Sequence, residues 1–299
     1  MEKVDLLVAD TEIFNSYLKQ FVRADVYIKG SKIYYVDMEQ KHELEARCVL
    51  DGNGYRMLPG FIDIHMHIES SMMTPVSFGN RAAECGVTTL VSEPHEIANV
   101  MGMEGIHEMI NGAKDSPVDI YYGIPSSVPS TNESLETTGG VIGLDQMKQL
   151  MQEDGVVCVG EVMNYRQIIK GDELEITKFL DYLEEEDPQA VIEGHCPSLV
   201  GLDLAKFLYQ GINGDHTEHN LQEIKERFEN GMFVELQEKM LRPEIIDYIK
   251  EHNLYEHCCF VTDDTMADKL KEQGQLNYVV RRAVAMGFPL NEAVYCASF

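Results

Sequence analysis

Two histidines one residue apart, His65-Met66-His67, close an apolar run that begins at Phe61. On an extended strand residues i and i+2 point to the same face, so both imidazoles can reach one metal ion. The pair alone is a weak signal, because packed or exposed histidines occur at this spacing about as often. Its neighbours strengthen it. Glu161 follows the apolar stretch 156–160, His195 follows 190–194, His216 follows 212–215 and Asp263 follows 260–262. Four imidazoles and two carboxylates are enough for two divalent ions such as Mn²⁺, Fe²⁺ or Zn²⁺ with positions left for water, and one ion on a subset of them is the simpler arrangement. A metal ion in such a set lowers the pKa of bound water toward about 7, which provides hydroxide near neutral pH. Asp263 and Glu161 are the candidate catalytic groups, one placed to touch an ion and take a proton, the other to bridge two ions or serve as a second acid or base. The sequence does not separate these roles.

For residues so far apart to meet, they must stand at one end of a common sheet. From Leu58-Pro59-Gly60 onward, short apolar runs alternate with amphipathic helical patterns, the texture of βα units on a parallel sheet. Strands are expected at 61–68, 87–92, 118–123, 156–162, 190–194, 212–215, 232–236 and 258–262, with helices among them at 144–151, 173–183, 202–208, 221–228 and 243–249. Eight repeats close a (β/α)8 TIM-type barrel, whose active site is built at the C-terminal ends of the strands. Residues 1–57 carry short β-rich runs, 5–9, 24–29 and 32–36, with Gly30-Ser31 as a turn, and read as a small antiparallel module or partial β-sandwich. The expected division is thus 1–57 and 58–299. The acidic run Glu184-Glu185-Glu186-Asp187 reads as solvated surface that opposes a helix dipole and helps to end that helix before Pro188.

Of the 299 residues 44% are apolar and 25% charged, as in ordinary globular proteins. The formal charge of −27 is less ordinary. It disfavours nucleic acid and anionic membrane as partners, since both are bound through Lys and Arg that displace counterions. The seven cysteines include no Cys-x-x-Cys pair and are odd in number, which fits reduced thiols in a cytoplasmic, soluble protein. The N-terminus has no basic region followed by an apolar run, and no stretch is apolar enough to span a bilayer. Cys196, next to His195, reads as packed: strand neighbours point to opposite faces, so that imidazole is poorly placed to activate the thiol.

The stretch Pro59-Gly60-Phe61-Ile62-Asp63-Ile64-His65-Met66-His67-Ile68-Glu69-Ser70-Ser71-Met72 resembles the first strand of the adenine deaminases of the amidohydrolase superfamily. Further matches are Glu93-Pro94-His95-Glu96-Ile97-Ala98-Asn99-Val100, Gly160-Glu161-Val162-Met163-Asn164, Gly194-His195-Cys196-Pro197 and Thr262-Asp263-Asp264. The resemblance implies a binuclear Mn²⁺ or Fe²⁺ site, with Zn²⁺ as the other option, and hydrolysis of adenine to hypoxanthine and ammonia. It implies His65, His67, Glu161, His195, His216 and Asp263 as the metal set. His95 and Glu96 lie where they line the pocket, add a ligand or merely cap a helix. Glu69 and Ser70 either contact the purine or hydrogen-bond His65 and His67 from behind.

Two positions depart from that pattern. Thr217 stands directly after His216 where the family has Glu, with Glu218 one place later, and Gly274-Gln275 stands where Gly-His is expected. Adenine deaminases also continue beyond the barrel to complete the small β domain, so strands of residues 1–57 are expected to show exposed edges. Another hydrolase of the superfamily, acting on an N6-substituted adenine or a cyclic amide, and an inactive barrel serving as a binding or assembly module are the competing readings. A homo-oligomer is compatible with all of them.

Overall fold

A computed structural model of the chain describes residues 2–41, 44–132 and 134–299. One compact unit comprises the residues up to Gly60 together with Pro289–Phe299, and the other comprises Phe61–Phe288.

In the first unit the three expected β-rich runs lie in β1 (Lys3–Asn15), β2 (Gln20–Lys29) and β3 (Lys32–Asp37), and two further strands follow, β4 (Glu45–Asp51) and β5 (Arg56–Met57). They make one sheet of order β3-β2-β1-β4, with β5 also on β1. The expected antiparallel module is corrected here. β1, β2 and β3 pair antiparallel, but β4 and β5 run parallel to β1. β3 already runs in the direction of β1, and the chain crosses back before β4 starts, so β4 meets β1 pointing the same way. Ile13, Ala24 and Val26 form a small buried core. The outer strands leave Ile33, Tyr34, Val49 and Leu50 exposed, the open edges that the sequence leads one to expect.

The second unit contains β6 (Phe61–His67), β7 (Val87–Ser92), β8 (Asp119–Ile124), β9 (Val156–Val162), β10 (Ile192–Gly194), β11 (Gly214–Asp215) and β12 (Phe233–Leu236), followed by an eighth strand split into β13 (Cys258–Phe260) and β14 (Asp263–Asp264). Each pairs parallel with the next, from β6 through to β13. β14 pairs parallel with β6. Only Val261 and Thr262 separate β13 from β14, so one stretch of chain is bonded on both flanks and the sheet closes into the expected barrel. The split falls at Asp263, whose φ of 56° lies in the left-handed region that aspartate enters more readily than most residues. That turn releases the strand from β12 and hands it to β6.

Helices alternate with these strands: α1 (Pro75–Glu84), α2 (His95–Met101), α3 (Met103–Gly112), α4 (Leu144–Leu150), α5 (Tyr165–Ile168), α6 (Glu175–Glu186), α7 (Gly201–Leu208), α8 (Leu221–Glu229), α9 (Pro243–His252), α10 (Ala267–Glu272) and α11 (Leu276–Ala285). The last, α12 (Leu290–Cys296), belongs to the first unit. Their sequences explain their faces. In α6, Ile176, Phe179, Leu180 and Leu183 recur at helical spacing and are buried in a core with Met147 and Leu150 of α4, Leu204 and Phe207 of α7, and Ile192 of β10. The exposed Glu184, Glu185 and Glu186 form its last turn, and the helix stops there. Asn220 caps α8 by accepting the Gln222 and Glu223 amides, while Glu223 accepts the Asn220 amide at 2.9 Å. No disulfide joins the cysteines, and no helix of the described residues is long and apolar enough to cross a membrane.

Inside the barrel the fit is tight around Glu93, which is buried just past β7. Its carboxyl occupies the space left by Gly123 of β8 and Gly160 of β9, and a Cβ on Gly160 would overlap Glu93 Oε2. Gly160→Ala is therefore expected to destabilise the protein by about 2 kcal/mol or more, within the range for overpacking a full interior. Urea unfolding at fixed metal concentration measures this; a midpoint equal to that of the parent chain would mean that Glu93 has room to move.

Candidate active site

All six residues expected to bind metal converge at the C-terminal ends of the barrel strands. His65 and His67 end β6, with their Nε2 atoms 3.2 Å apart. Glu161, on β9, lies between two groups of imidazoles. Its Oε1 is 3.6 Å from His67 Nε2 and 3.3 Å from His95 Nδ1, while its Oε2 is 2.6 Å from His195 Nδ1 and 3.2 Å from His216 Nε2. Asp263 completes the set, with Oδ1 3.4 Å from His67 Nε2 and 3.8 Å from His65 Nε2. Its other oxygen, Oδ2, accepts from Gln237 Nε2 at 2.6 Å, and the same amide also donates to the His216 carbonyl at 2.8 Å. That carboxylate is aimed.

The residues expected around the substrate divide. His95 and Glu96 open α2 and stand within the cluster: His67, His95 and Glu96 bring donor atoms within 4.8 Å of one another. The N-cap residue is Pro94, and Glu96 lies in the first turn with its carboxylate beside its own amide. Ser70 hydrogen-bonds the Asp264 carboxylate and lies 3.5 Å from Glu96 Oε1, so it braces the β14 side of the site and makes no bond to His65 or His67. Glu69 is largely buried, with its carboxylate beside the backbone amides of Glu69 and Ile97. Burial and the neighbouring Glu96 push its pKa up to about 7.

The two departures fall away from the imidazoles. Glu218 forms an exposed ion pair with Arg242 at 3.3 Å. Gln275 is buried, donates to Asp63 and to Thr262 Oγ1, and accepts the Leu276 amide at the start of α11. It supports the backbone of β6 and the split strand. Cys196 is packed as expected, but in the loop after β10 and not on a strand, with Sγ 3.1 Å from Asp215 Oδ2.

Several functional neighbours escape a reading of the strand ends. Glu193 on β10 accepts from His216 Nδ1 at 3.0 Å, and the same oxygen lies 2.5 Å from His65 Nδ1 as a charge contact that is not aligned as a hydrogen bond. Glu235 of β12 lies against it: His65, Glu193, His216 and Glu235 place donor atoms within 4.8 Å. The His67 Nδ1–H donates to the Glu93 carbonyl at 3.0 Å. Beneath His216, Asp215 Oδ2 accepts from Arg227 Nε and His219 Nε2, each at 2.7 Å, and Arg227 also donates to the Cys196 and Leu199 carbonyls. This network fastens α8 to the loop that carries His195. The available signal was alternation by two, which runs back from His195 to Glu193 and from Gln237 to Glu235.

Buried charge sets the electrostatics. Burial alone would raise the pKa of Glu161, yet His195 and His216 outweigh it and hold this carboxyl well below its ordinary range. Burial likewise opposes ionisation of Glu193, but His65 and His216 hold it at about 2. Asp263 is kept low against burial by His65 and His67. The imidazoles respond in kind: against the effect of burial, Glu193 and Asp263 raise His65, Asp263 and Glu96 raise His67, and Glu161 and Glu193 lift His216 to about 9. Glu93 and Glu235 go the other way, pushed well up by burial and by neighbouring carboxylates. The donor set suits divalent cations: imidazole nitrogens and carboxylate oxygens grouped as His65, His67 and Glu161 on one side and as Glu161, His195 and His216 on the other.

Residues 56–298 match the family described as "Amidohydrolase family". The chain is 43% identical over 297 residues to an adenine deaminase of Clostridium perfringens, covering 99% of this chain and 51% of that protein. It is 42% identical over 296 residues to adenine deaminase 2 of Shouchella clausii, again covering 99% of this chain and 51% of the relative. The chain thus spans about half the length of the curated relatives it matches. Among solved structures, a β-aspartyl dipeptidase from Fervidobacterium islandicum AW-1 superposes with a TM-score of 0.64 at 15% identity, covering 98% of this chain and 84% of that one. An enamidase superposes with a TM-score of 0.62 at 14% identity, covering 98% and 80%. At such identities these two structures bear on the fold alone.

Because the acids hold protons on the imidazoles when no cation is present, a cation must displace them. Adding Mn²⁺ to metal-free protein at pH 7 in weak buffer is expected to release about three protons per chain, one each from His65, His67 and His216, with uptake weakening as the pH falls. A pH-stat titration reads this directly; metal uptake with no acid released would mean that the imidazoles are already neutral.

Proposed function

The chain belongs to the amidohydrolase family, whose members are built around a divalent metal site, and from that premise we propose that it hydrolyses adenine to hypoxanthine and ammonia using two divalent ions, Mn²⁺ or Fe²⁺ before Zn²⁺. The observation that carries the two-ion reading is Glu161, which offers one oxygen to His67 and His95 and the other to His195 and His216. His65, His67 and Asp263 would hold one ion and His195 and His216 the other, with Glu161 between them. Ions held there supply Lewis acidity, which makes a water molecule acidic enough to attack near neutral pH.

The chain's own groups do the rest. Asp263 is fixed by Gln237 and takes the proton from the attacking water as its oxygen bonds to C6 of the purine. The same carboxyl then gives that proton to the exocyclic nitrogen, the C6–N bond breaks and ammonia leaves. One water is consumed and no other reactant is needed. Glu69, Ser70, His95 and Glu96 border the ring. A Glu69 carboxyl that titrates near 7 can be neutral and donate to a ring nitrogen. The relatives named adenine deaminase support this substrate, and the place of Gln275 behind β6 supports it too, because that departure does not alter the groups facing the imidazoles.

The test is ammonia release from adenine by protein loaded separately with Mn²⁺, Fe²⁺ and Zn²⁺. Turnover should vanish with chelator, and Asp263→Asn should lower it by about 10² to 10⁴ when compared at matched metal occupancy, the usual cost of losing a general acid or base. A folded, metal-loaded protein that releases no ammonia from adenine or N6-substituted adenines would sink the substrate assignment. Hydrolysis confined to cyclic amides would redirect it to another reaction of the family.

A further inference from the structure

His65 and His216 come from strands far apart in the barrel and stand in different halves of the cluster, yet their rings stack in parallel, with centroids 3.7 Å apart and planes 16° apart. Both Nδ1 atoms lie against the same oxygen, Glu193 Oε1, at 2.5 and 3.0 Å, the His216 contact aligned as a hydrogen bond and the His65 contact a close approach of the carboxylate to the ring nitrogen. A neutral imidazole has one N–H and one lone pair, and an acceptor at Nδ1 keeps the proton there and turns the lone pair to Nε2. The two Nε2 atoms are the ones that face the candidate ligands: that of His65 lies 3.2 Å from His67 Nε2, and that of His216 lies 3.2 Å from Glu161 Oε2 and 3.3 Å from His195 Nδ1.

We propose that Glu193 is a positioning residue that sets the orientation and tautomer of His65 and His216 together, so that one buried carboxylate couples the two ion positions. The inference rests on the two-ion reading of the site. Glu193 is well placed for this role. It is buried on β10, two residues before His195, and is packed against Glu235, so it cannot swing toward solvent. It reaches the histidines only from their Nδ1 side, which leaves contact with water and substrate to Asp263 and Glu161. Two stacked rings with no shared acceptor would be free to exchange tautomers independently, and either exchange would remove a lone pair from one ion position. A single acceptor makes the two positions stand or fall together.

The test compares Glu193→Ala, Glu193→Gln and His195→Ala in the full chain, reading Mn²⁺ or Zn²⁺ bound per chain against free metal concentration, with far-UV circular dichroism and melting of the metal-free forms as the check on folding. Glu193→Ala is expected to weaken both ions in step, by about 10- to 100-fold, the usual cost of removing the partner that orients a ligand histidine. Glu193→Gln, which keeps an oxygen in place without the charge, should fall between and carries the comparison if the alanine variant does not fold. His195→Ala should lose one ion and keep the other. In zinc-loaded parent protein, three slowly exchanging imidazole Nδ1–H resonances are expected; those of His65 and His216 should disappear in Glu193→Ala while that of His67, held by the Glu93 carbonyl, stays, a pattern that a merely structural role would not produce. A folded Glu193 variant that binds both ions with parental affinity, or that loses only one, overturns the inference. If the parent chain binds two ions but releases no ammonia from adenine, parallel loss in the Glu193 variants still supports the coupling and only the substrate reading fails.

Discussion

Glu161 is enclosed at the mouth of the barrel and stays ionised because imidazoles surround both of its oxygens. Moving a carboxylate out of water costs several kcal/mol even after the protein relaxes, so such a group persists only where opposite charge and hydrogen bonds are assembled around it. Each partner carries the same requirement. His65 and His216 are buried and held by Glu193, and Asp263 is held by His65, His67 and Gln237. The cluster therefore tolerates little displacement of any one strand end.

Closure of the barrel satisfies that requirement. Because the eighth strand bonds β12 with its first part and β6 with its second, Asp263 is held against Met66, the residue between the two histidines it faces. An open sheet would leave that carboxylate on the opposite edge from His65. The left-handed turn at Asp263 is the local cost of this arrangement, and the bonds from Asp63 and Gln275 to Thr262 brace the residue just before it. Farther out, the Asp215–Arg227–His219 network holds the β10 and β11 loops in register, so the second pair of histidines is supported independently of the first.

The barrel strands and the helices α4, α6, α7, α8 and α9 were legible because their signal is local. Alternating or continuous apolar runs and helical spacing need only a few neighbouring residues to be read, and the candidate ligands His65, His67, Glu161, His195, His216 and Asp263 were visible because each ends or follows such a run. The antiparallel reading of the first sheet failed where the signal is not local: nothing in residues 45–51 states which neighbour they will pair with, and a crossing of the chain made the pairing parallel. Glu193 and Glu235 were passed over because a carboxylate inside a strand looks like the polar face of an ordinary alternating run.

The sequence by itself determined the periodicities, the number of repeats and the supply of imidazoles and carboxylates at strand ends, because these follow from covalent order and from the fixed geometry of strands and helices. Only the tertiary structure decided which groups share a proton or a charge. Whether Glu193 is solvated surface or the common partner of two histidines depends on which strands become neighbours and how far burial strips each carboxylate of water, quantities that exist only once the barrel has closed.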